Sequence, residues 1–192
     1  GAFSFFPSKN LAGYGDAGLI ATDDNAVYDY IKALRNHGQK EQYKADYLGY
    51  NSRLDSFQAA ILSAKLKYID RFNRKRMRVA GSYSRAFAKI KEIKTPFVPE
   101  GAAHIYHLYT IKVSSKRNKL IKFLNSKGIA ARIYYPHLLN QMKAFKSCKA
   151  AGALKNARSV LSEVLTLPVH PFMRDKEVSY IVEYISKFFS KN

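Results

Sequence analysis

The sequence predicts an α/β fold. Three patterns carry that expectation: short apolar strands ended by proline or glycine, amphipathic stretches at helical spacing between them, and a regular strand–helix alternation after residue 95. With 192 residues, 47% of them hydrophobic, the chain is long enough to bury a core.

Residues 2–7 read as a short buried strand that stops at Pro7. A turn-rich stretch with Gly13, Gly15 and Gly18 leads to a second strand at Leu19–Thr22. Asp23, Asp24 and Asn25 are N-cap candidates for a helix that carries Val27, Ile31 and Leu34, with Gly38 as its C-cap. Residues 39–50 form a polar, tyrosine-rich loop. From Ser52 or Asp55 a long helix begins, with Phe57, Ile61, Leu62, Leu66, Ile69 and Phe72 at helical spacing. It runs through Arg78 toward Ile90 with a bend near Gly81, and its length suits a connection between two packed bodies.

Pro96 and Pro99 mark a loop. His104–Val113 alternates and is rich in β-branched and aromatic residues, which predicts a strand. A helix over Asn118–Ser126 closes at Gly128, and Ile129–Tyr135 is a strand ended by Pro136. Ala157–Val164 is a helix and Leu165–Pro168 a brief strand. Asp175 caps the last helix, whose buried face is Val178, Ile181, Val182, Ile185 and Phe188.

Composition excludes several function classes. The single cysteine, Cys148, cannot close an internal disulfide, so a disulfide-stapled scaffold is ruled out. It lies between Lys146 and Lys149, charges that favour a thiolate, but no His and Asn/Asp partner pattern surrounds it. No apolar run approaches the ~20 residues of a membrane span. The start, GAFSFFPSKNLAG, lacks the basic and apolar regions of a signal peptide, so the cytoplasm is the expected compartment. The five histidines show no ligand spacing, and no metal is expected. Gly13, Gly15 and Gly18 do not open a helix and so form no dinucleotide fingerprint.

The balance of 33 Lys+Arg against 14 Asp+Glu gives a formal charge of +19. Lysines are scattered rather than set in a tail, and the densest run, Arg71 to Arg78, reads as a solvated helix face, with a phosphate-binding face as the sharper alternative. No zinc-finger or RNP signature accompanies the charge, so no nucleic-acid partner is expected.

Lys9 is the residue that carries chemistry. A lysine at a strand end among apolar neighbours can lose its proton more easily and become nucleophilic toward carbonyl carbon. Its surroundings narrow the reading. Ser4-Phe5-Phe6-Pro7-Ser8-Lys9-Asn10-Leu11, followed by Gly15-Asp16-Ala17-Gly18, resembles the cofactor-lysine segment of the DegT/DnrJ/EryC1/StrS family. The resemblance continues at Leu34 to Gln39 and is strongest from Gly49 to Leu62 (GYNSRLDSFQAAIL). It returns at Ile133-Tyr134-Tyr135-Pro136 and at Leu167-Pro168-Val169-His170-Pro171, so it covers nearly the whole chain.

That family comprises nucleotide-sugar aminotransferases dependent on pyridoxal 5'-phosphate. The resemblance implies a transfer of the amino group of L-glutamate to a keto-sugar linked to a nucleotide diphosphate. Lys9 would form the Schiff base with the cofactor and shuttle the proton between the donor's α-carbon and the cofactor. Ser4 matches the serine on the cofactor phosphate. Asn51 matches the asparagine that reaches the phosphate in the neighbouring subunit of a homodimer. Arg53 matches an arginine suited to the donor carboxylate; read from its own neighbours, it is a helix-start arginine paired with Asp55. His107 and Tyr135 are expected near the sugar, with His104, Tyr134 and His137 as weaker candidates and His170 as structural. SFFPSKNL and GDAG look more like members acting at C3, such as the UDP-3-oxo-glucuronate type. C4 members tend to carry a histidine after the Ser-Phe pair and Gly-Glu-Gly-Gly in place of Gly15-Asp16-Ala17-Gly18.

The implied architecture is the C-terminal half of the aspartate-aminotransferase-like fold, type I. Residues 1–65 would end the large domain, and residues 66–192 would hold a connecting helix and the small domain. Family chains are about double this length and seat the cofactor partly with residues upstream of the lysine. A chain starting at Gly1 is therefore expected to be a C-terminal portion, inactive alone. The competing expectation is a truncated or non-catalytic relative acting as a binding or regulatory protein.

Overall fold

The computed structural model describes residues 1–148 and 152–190, so Lys149, one of the two lysines flanking Cys148, lies outside the described residues. The chain divides into two compact units, Gly1–Arg71 and Phe72–Asn192. Their charges differ. Of the 33 basic residues 24 follow residue 71, against 6 of the 14 acidic ones, so the basic excess is a property of the second unit and is not spread evenly.

In the first unit, β1 (Ala2–Ser4) and β2 (Gly18–Ile20) form an antiparallel hairpin in the register Ala2↔Ile20, Phe3↔Leu19, Ser4↔Gly18. The expected burial of the first strand does not hold. All six residues are exposed, because among the described residues no second layer covers the faces of this two-stranded ribbon. Helix α1 (Asn25–Leu34) starts at Asp24, whose carboxylate accepts from the Ala26 and Val27 amides at 2.8 and 3.1 Å. It ends four residues before Gly38, although the Gly38 amide still donates to Ala33 O at 2.9 Å.

The expected loop over 39–50 contains a small hairpin, β3 (Gln39–Glu41) with β4 (Lys44–Ala45). Its turn is made by Tyr43 at φ 65° and by the Lys44–Glu41 ion pair. The long helix is two helices, α2 (Ser56–Leu66) and α3 (Ile69–Phe87). The break falls at Lys67–Tyr68, where the Tyr68 amide reaches back three residues to Lys65 O, and not at Gly81, which lies inside α3.

The second unit is built on a three-stranded antiparallel sheet, β5 (Ile93–Lys94), β6 (Tyr109–Val113) and β7 (Val164–Leu167), with β6 in the middle. The two-residue β5 is too short for a sequence pattern to reveal. Tyr109, Ile111 and Val113 alternate inward. They pack with Val79, Tyr83 and Phe87 of α3, Leu120 and Leu124 of α4 (Arg117–Ser126), and Val178, Ile181, Ile185 and Phe188 of α6 (Asp175–Ser190). Each such aliphatic side chain contributes roughly 1.5–3 kcal/mol by leaving water. α5 (Lys155–Glu163) runs directly into β7, and its Glu163 pairs with Lys112 at 3.5 Å.

Three expectations fail here for local reasons. The strand placed at 104–113 begins only at Tyr109. Tyr106 sits at φ 48°, and its amide donates to His104 Nδ1 at 2.9 Å instead of to a neighbouring strand. Residues 129–135 contribute a single bridge, Arg132 with Thr166, because the Ala131 amide is held by Asn125 Oδ1 and Ile129 O. Asp175 opens α6 without capping it and bonds Arg78 at 2.6 Å; Glu177 accepts from the Arg174 amide at 2.8 Å in its place.

Candidate active site

Lys9 stands on a loop closed by backbone bonds. Phe5 N donates to Ala17 O and Gly13 N to Phe5 O, both at 2.8 Å, so residues 6–12 leave and re-enter the hairpin at one point. Within the loop, Lys9 N donates to Phe6 O at 2.8 Å, a β-turn with Pro7 presetting its second position. The Lys9 side chain is half-buried.

Helix α2 braces this loop. Lys65 Nζ donates to the carbonyl of the buried Ala12 at 2.5 Å, and Tyr14 N donates to Gln58 Oε1 at 2.8 Å. A Cβ on Gly13 would meet Gln58 Oε1 at 2.8 Å, and one on Gly15 would meet Gln58 Nε2 at 2.9 Å. These glycines therefore make room for the Gln58 amide. Gln58 falls within the strongest motif with no role predicted for it, since a glutamine seated on a glycine loop has no spacing signal.

Ser4, at the end of β1, is exposed; its Oγ accepts from Phe6 N at 3.4 Å and keeps its own proton to donate. Asn51 lies in, and Arg53 directly after, a separate stitch between residues 34–37 and 50–52. Tyr50 N donates to Leu34 O at 2.7 Å, Ser52 N to Arg35 O at 2.9 Å, and Asn36 bridges Asn51. Arg53 NH1 donates to Asn36 Oδ1 at 3.4 Å, so its observed partner is Asn36 rather than Asp55. That bond is long, and the guanidinium is exposed with most of its fork available to an anion.

His107 and Tyr135 belong to the second unit. The half-buried His107 is held through its carbonyl, 3.4 Å from Arg76 NH1, and Tyr135 is 71% exposed with its ring edge-on to Tyr134. His104 stacks on Tyr106 at 4.2 Å. The exposed His170 has its pKa lowered by desolvation and by the Arg76 cation, partly offset by Glu177, and its Nδ1 accepts from Phe172 N. Among the described residues no group of three or more His, Cys, Asp or Glu gathers as a metal site, and no helix is long and apolar enough to cross a membrane.

The profile of the DegT/DnrJ/EryC1/StrS aminotransferase family matches residues 1–186. The chain is 40% identical to a pleiotropic regulatory protein of Geobacillus stearothermophilus over 97% of its own length and 51% of that protein. It is 37% identical to the UDP-N-acetyl-3-dehydro-alpha-D-glucosamine 3-aminotransferase of Acidithiobacillus ferrooxidans, covering 97% of this chain and 50% of the relative. The crystal structure of S. venezuelae DesV in complex with a ketimine intermediate superposes with a TM-score of 0.91 at 30% identity, over 97% of this chain and 50% of that one. The chain thus spans about half the length of the curated relatives it matches, and its fold is that of the C-terminal half of the fold-type-I aminotransferases. By the match over residues 1–186, the chain belongs to the DegT/DnrJ/EryC1/StrS aminotransferase family.

Proposed function

We propose that this chain supplies the catalytic lysine of a transaminase that moves an amino group from L-glutamate to C3 of a nucleotide-linked keto-sugar, with pyridoxal 5'-phosphate as cofactor. The observation that carries the reading is the setting of Lys9: a half-buried lysine on a loop pinned by Phe5, Gly13, Gln58 and Lys65. The C3 assignment is supported by the motif strings and by the 3-aminotransferase relative.

The residues present fit the cofactor. Lys9 offers an amine on a fixed backbone, and Ser4 retains a hydroxyl proton for a phosphate oxygen. When bound, the cofactor supplies an electron sink for charge developing at the donor's α-carbon. Lys9 Nζ holds the cofactor and moves the proton at that α-carbon. Ser4 Oγ and the Asn51 amide donate to phosphate, Asn51 toward the second subunit of a homodimer. The Arg53 fork takes the donor carboxylate and fixes the glutamate before reaction. His107 and Tyr135 contact the sugar. Residues 1–65 serve as the end of the cofactor-binding domain and 66–192 as connecting helix and small domain.

A second reading is favoured by the regulatory name of the Geobacillus relative: a non-catalytic protein of the same fold. One experiment separates the two. Borohydride reduction of the native protein, followed by peptide mass analysis, should leave a pyridoxyl group on Lys9. No adduct, or an adduct on another lysine, removes the catalytic reading. Lys9→Ala should cost roughly 10³-fold in rate with UDP- or dTDP-linked 3-keto sugars, and preference for 4-keto sugars would overturn the C3 assignment.

A further inference from the structure

Arg76 lies in the middle of α3 and is 8% exposed. Among the described residues no ion pair involves it. Its NH1 instead donates to three carbonyls, Val169 O at 2.8 Å and Tyr106 O and His107 O at 3.4 Å. Its Nε is buried without a partner. These carbonyls come from two loops. One precedes β6 and the other follows β7, and because Tyr109 pairs with Leu167 both lie at the same end of the sheet. Tyr83 and Ser84 hold that end as well: Tyr83 Oη donates to Pro168 O at 3.0 Å, and Ser84 Oγ and Tyr109 Oη are 2.8 Å apart.

A buried cation with carbonyl partners and an unpaired Nε is a poor device for stability alone. Its desolvation is only partly repaid, and an apolar side chain of similar size is often as good or better. What the guanidinium does that an apolar residue cannot is fix two backbone segments relative to each other. The first segment needs fixing, because Tyr106 is a non-glycine residue at φ 48°, a strained conformation that persists only where its surroundings impose it.

We propose that Arg76 is a positioning residue for sugar binding: it ties the loop of Tyr106 and His107 to the loop of Val169 and His170, and so sets His107 where it meets the substrate. The assignment deepens the transaminase reading and rests on it for the identity of the ligand. The nearby His170 reports the same clamp, since the Arg76 cation helps to hold its pKa down.

The test compares Arg76→Met and Arg76→Lys in the full-length native protein. Hydrogen exchange should quicken about tenfold in the peptides containing 104–108 and 169–172, and stay unchanged in α6. The KM for the keto-sugar should rise about tenfold, the scale of one charged hydrogen bond, with kcat within about twofold and KM for glutamate unaltered. Arg76→Lys should recover part of the sugar KM and covers the case in which Arg76→Met does not fold. Unchanged exchange in both loops, or faster exchange across the whole second unit, overturns the clamp. Localised exchange with an unaltered sugar KM overturns the link to substrate. A wild-type protein without transaminase activity defeats the underlying reading, and the exchange pattern still decides the clamp.

Discussion

Gln58 and Tyr14 are joined across 44 residues by a 2.8 Å bond from the Tyr14 amide to the Gln58 side-chain oxygen. The same amide group fills the space above Gly13 and Gly15. Position and chemistry are linked here: α2 fixes the far side of the loop whose near side carries Lys9. Gln58→Ala is expected to destabilise the protein by about 1–2 kcal/mol, because the Tyr14 amide loses its acceptor. It should also lower the yield of pyridoxyl adduct on Lys9. Gln58→Glu retains the acceptor oxygen and should stay closer to wild type in both. Urea titration and the reduction assay read the two effects, and equal behaviour of Gln58→Ala and wild type would deny α2 this role.

Gly38 and Gly101 share φ +75° but not their surroundings. A Cβ at Gly38 would lie 1.8 Å from Tyr47 O, and one at Gly49 would lie 2.0 Å from Gly38 N, whereas Gly101 has nothing within 4 Å. Gly101→Ala should therefore cost only the left-handed strain of about 1–2 kcal/mol. Gly38→Ala and Gly49→Ala should cost more than about 3 kcal/mol, since backbone cannot step aside as a side chain does. They should also disturb the stitch that presents Asn51 and Arg53. Thermal melts of the three variants give the ranking, and three similar shifts would contradict the close approach.

The elements legible in the sequence were those whose pattern is local. Asp24 capping α1, the alternating Tyr109, Ile111 and Val113, and the α6 stripe from Val178 to Phe188 all follow from spacing. The family was legible through the motif around Lys9. The errors lie where a single side chain or dihedral redirects the backbone. Tyr106 turning at φ 48° cost the strand its first residues, and Asn125 capturing the Ala131 amide removed the next strand. Tyr68 bonding three residues back split the long helix. Gln58, Lys65 and Arg76 act on carbonyls and amides far away in sequence, so no spacing rule could have found them.

Acid should loosen the start of α6. The Glu177 carboxyl is pulled down to about 2, first by its side-chain bond with the Arg174 guanidinium and then by the Arg174 backbone amide. A carboxyl whose pKa is depressed on folding contributes stability that is present above its unfolded value near 4.3 and is lost as pH falls toward 2. The expected result is a loss of stability over that window that is smaller in Glu177→Gln. Denaturant titrations at pH 5, 3.5 and 2.5 measure it, and parallel curves for the two proteins would show that the pair contributes nothing.

Alkali acts on the core of the second unit through two tyrosines with no exposed surface, Tyr83 and Tyr109. Burial pushes the Tyr109 hydroxyl up to about 12, against the lowering effect of its bond with Ser84, and raises Tyr83 further with a contribution from Tyr109. In the unfolded chain both ionise near 10. Below that pH both states keep the protons and stability is unaffected. Between about 10 and 12 the unfolded chain releases them while the folded core does not, so each added pH unit favours unfolding. Tyr109→Phe and Tyr83→Phe each remove one of these protons and should flatten the fall of stability above pH 10. Tyr83→Phe should also start lower at pH 7, by about 0.5–1.5 kcal/mol, because Pro168 O loses its donor. Far-UV circular dichroism across denaturant at pH 8, 10 and 11 gives both quantities. A variant that falls as steeply as wild type would mean that its hydroxyl ionises without unfolding, and that this end of the sheet admits water.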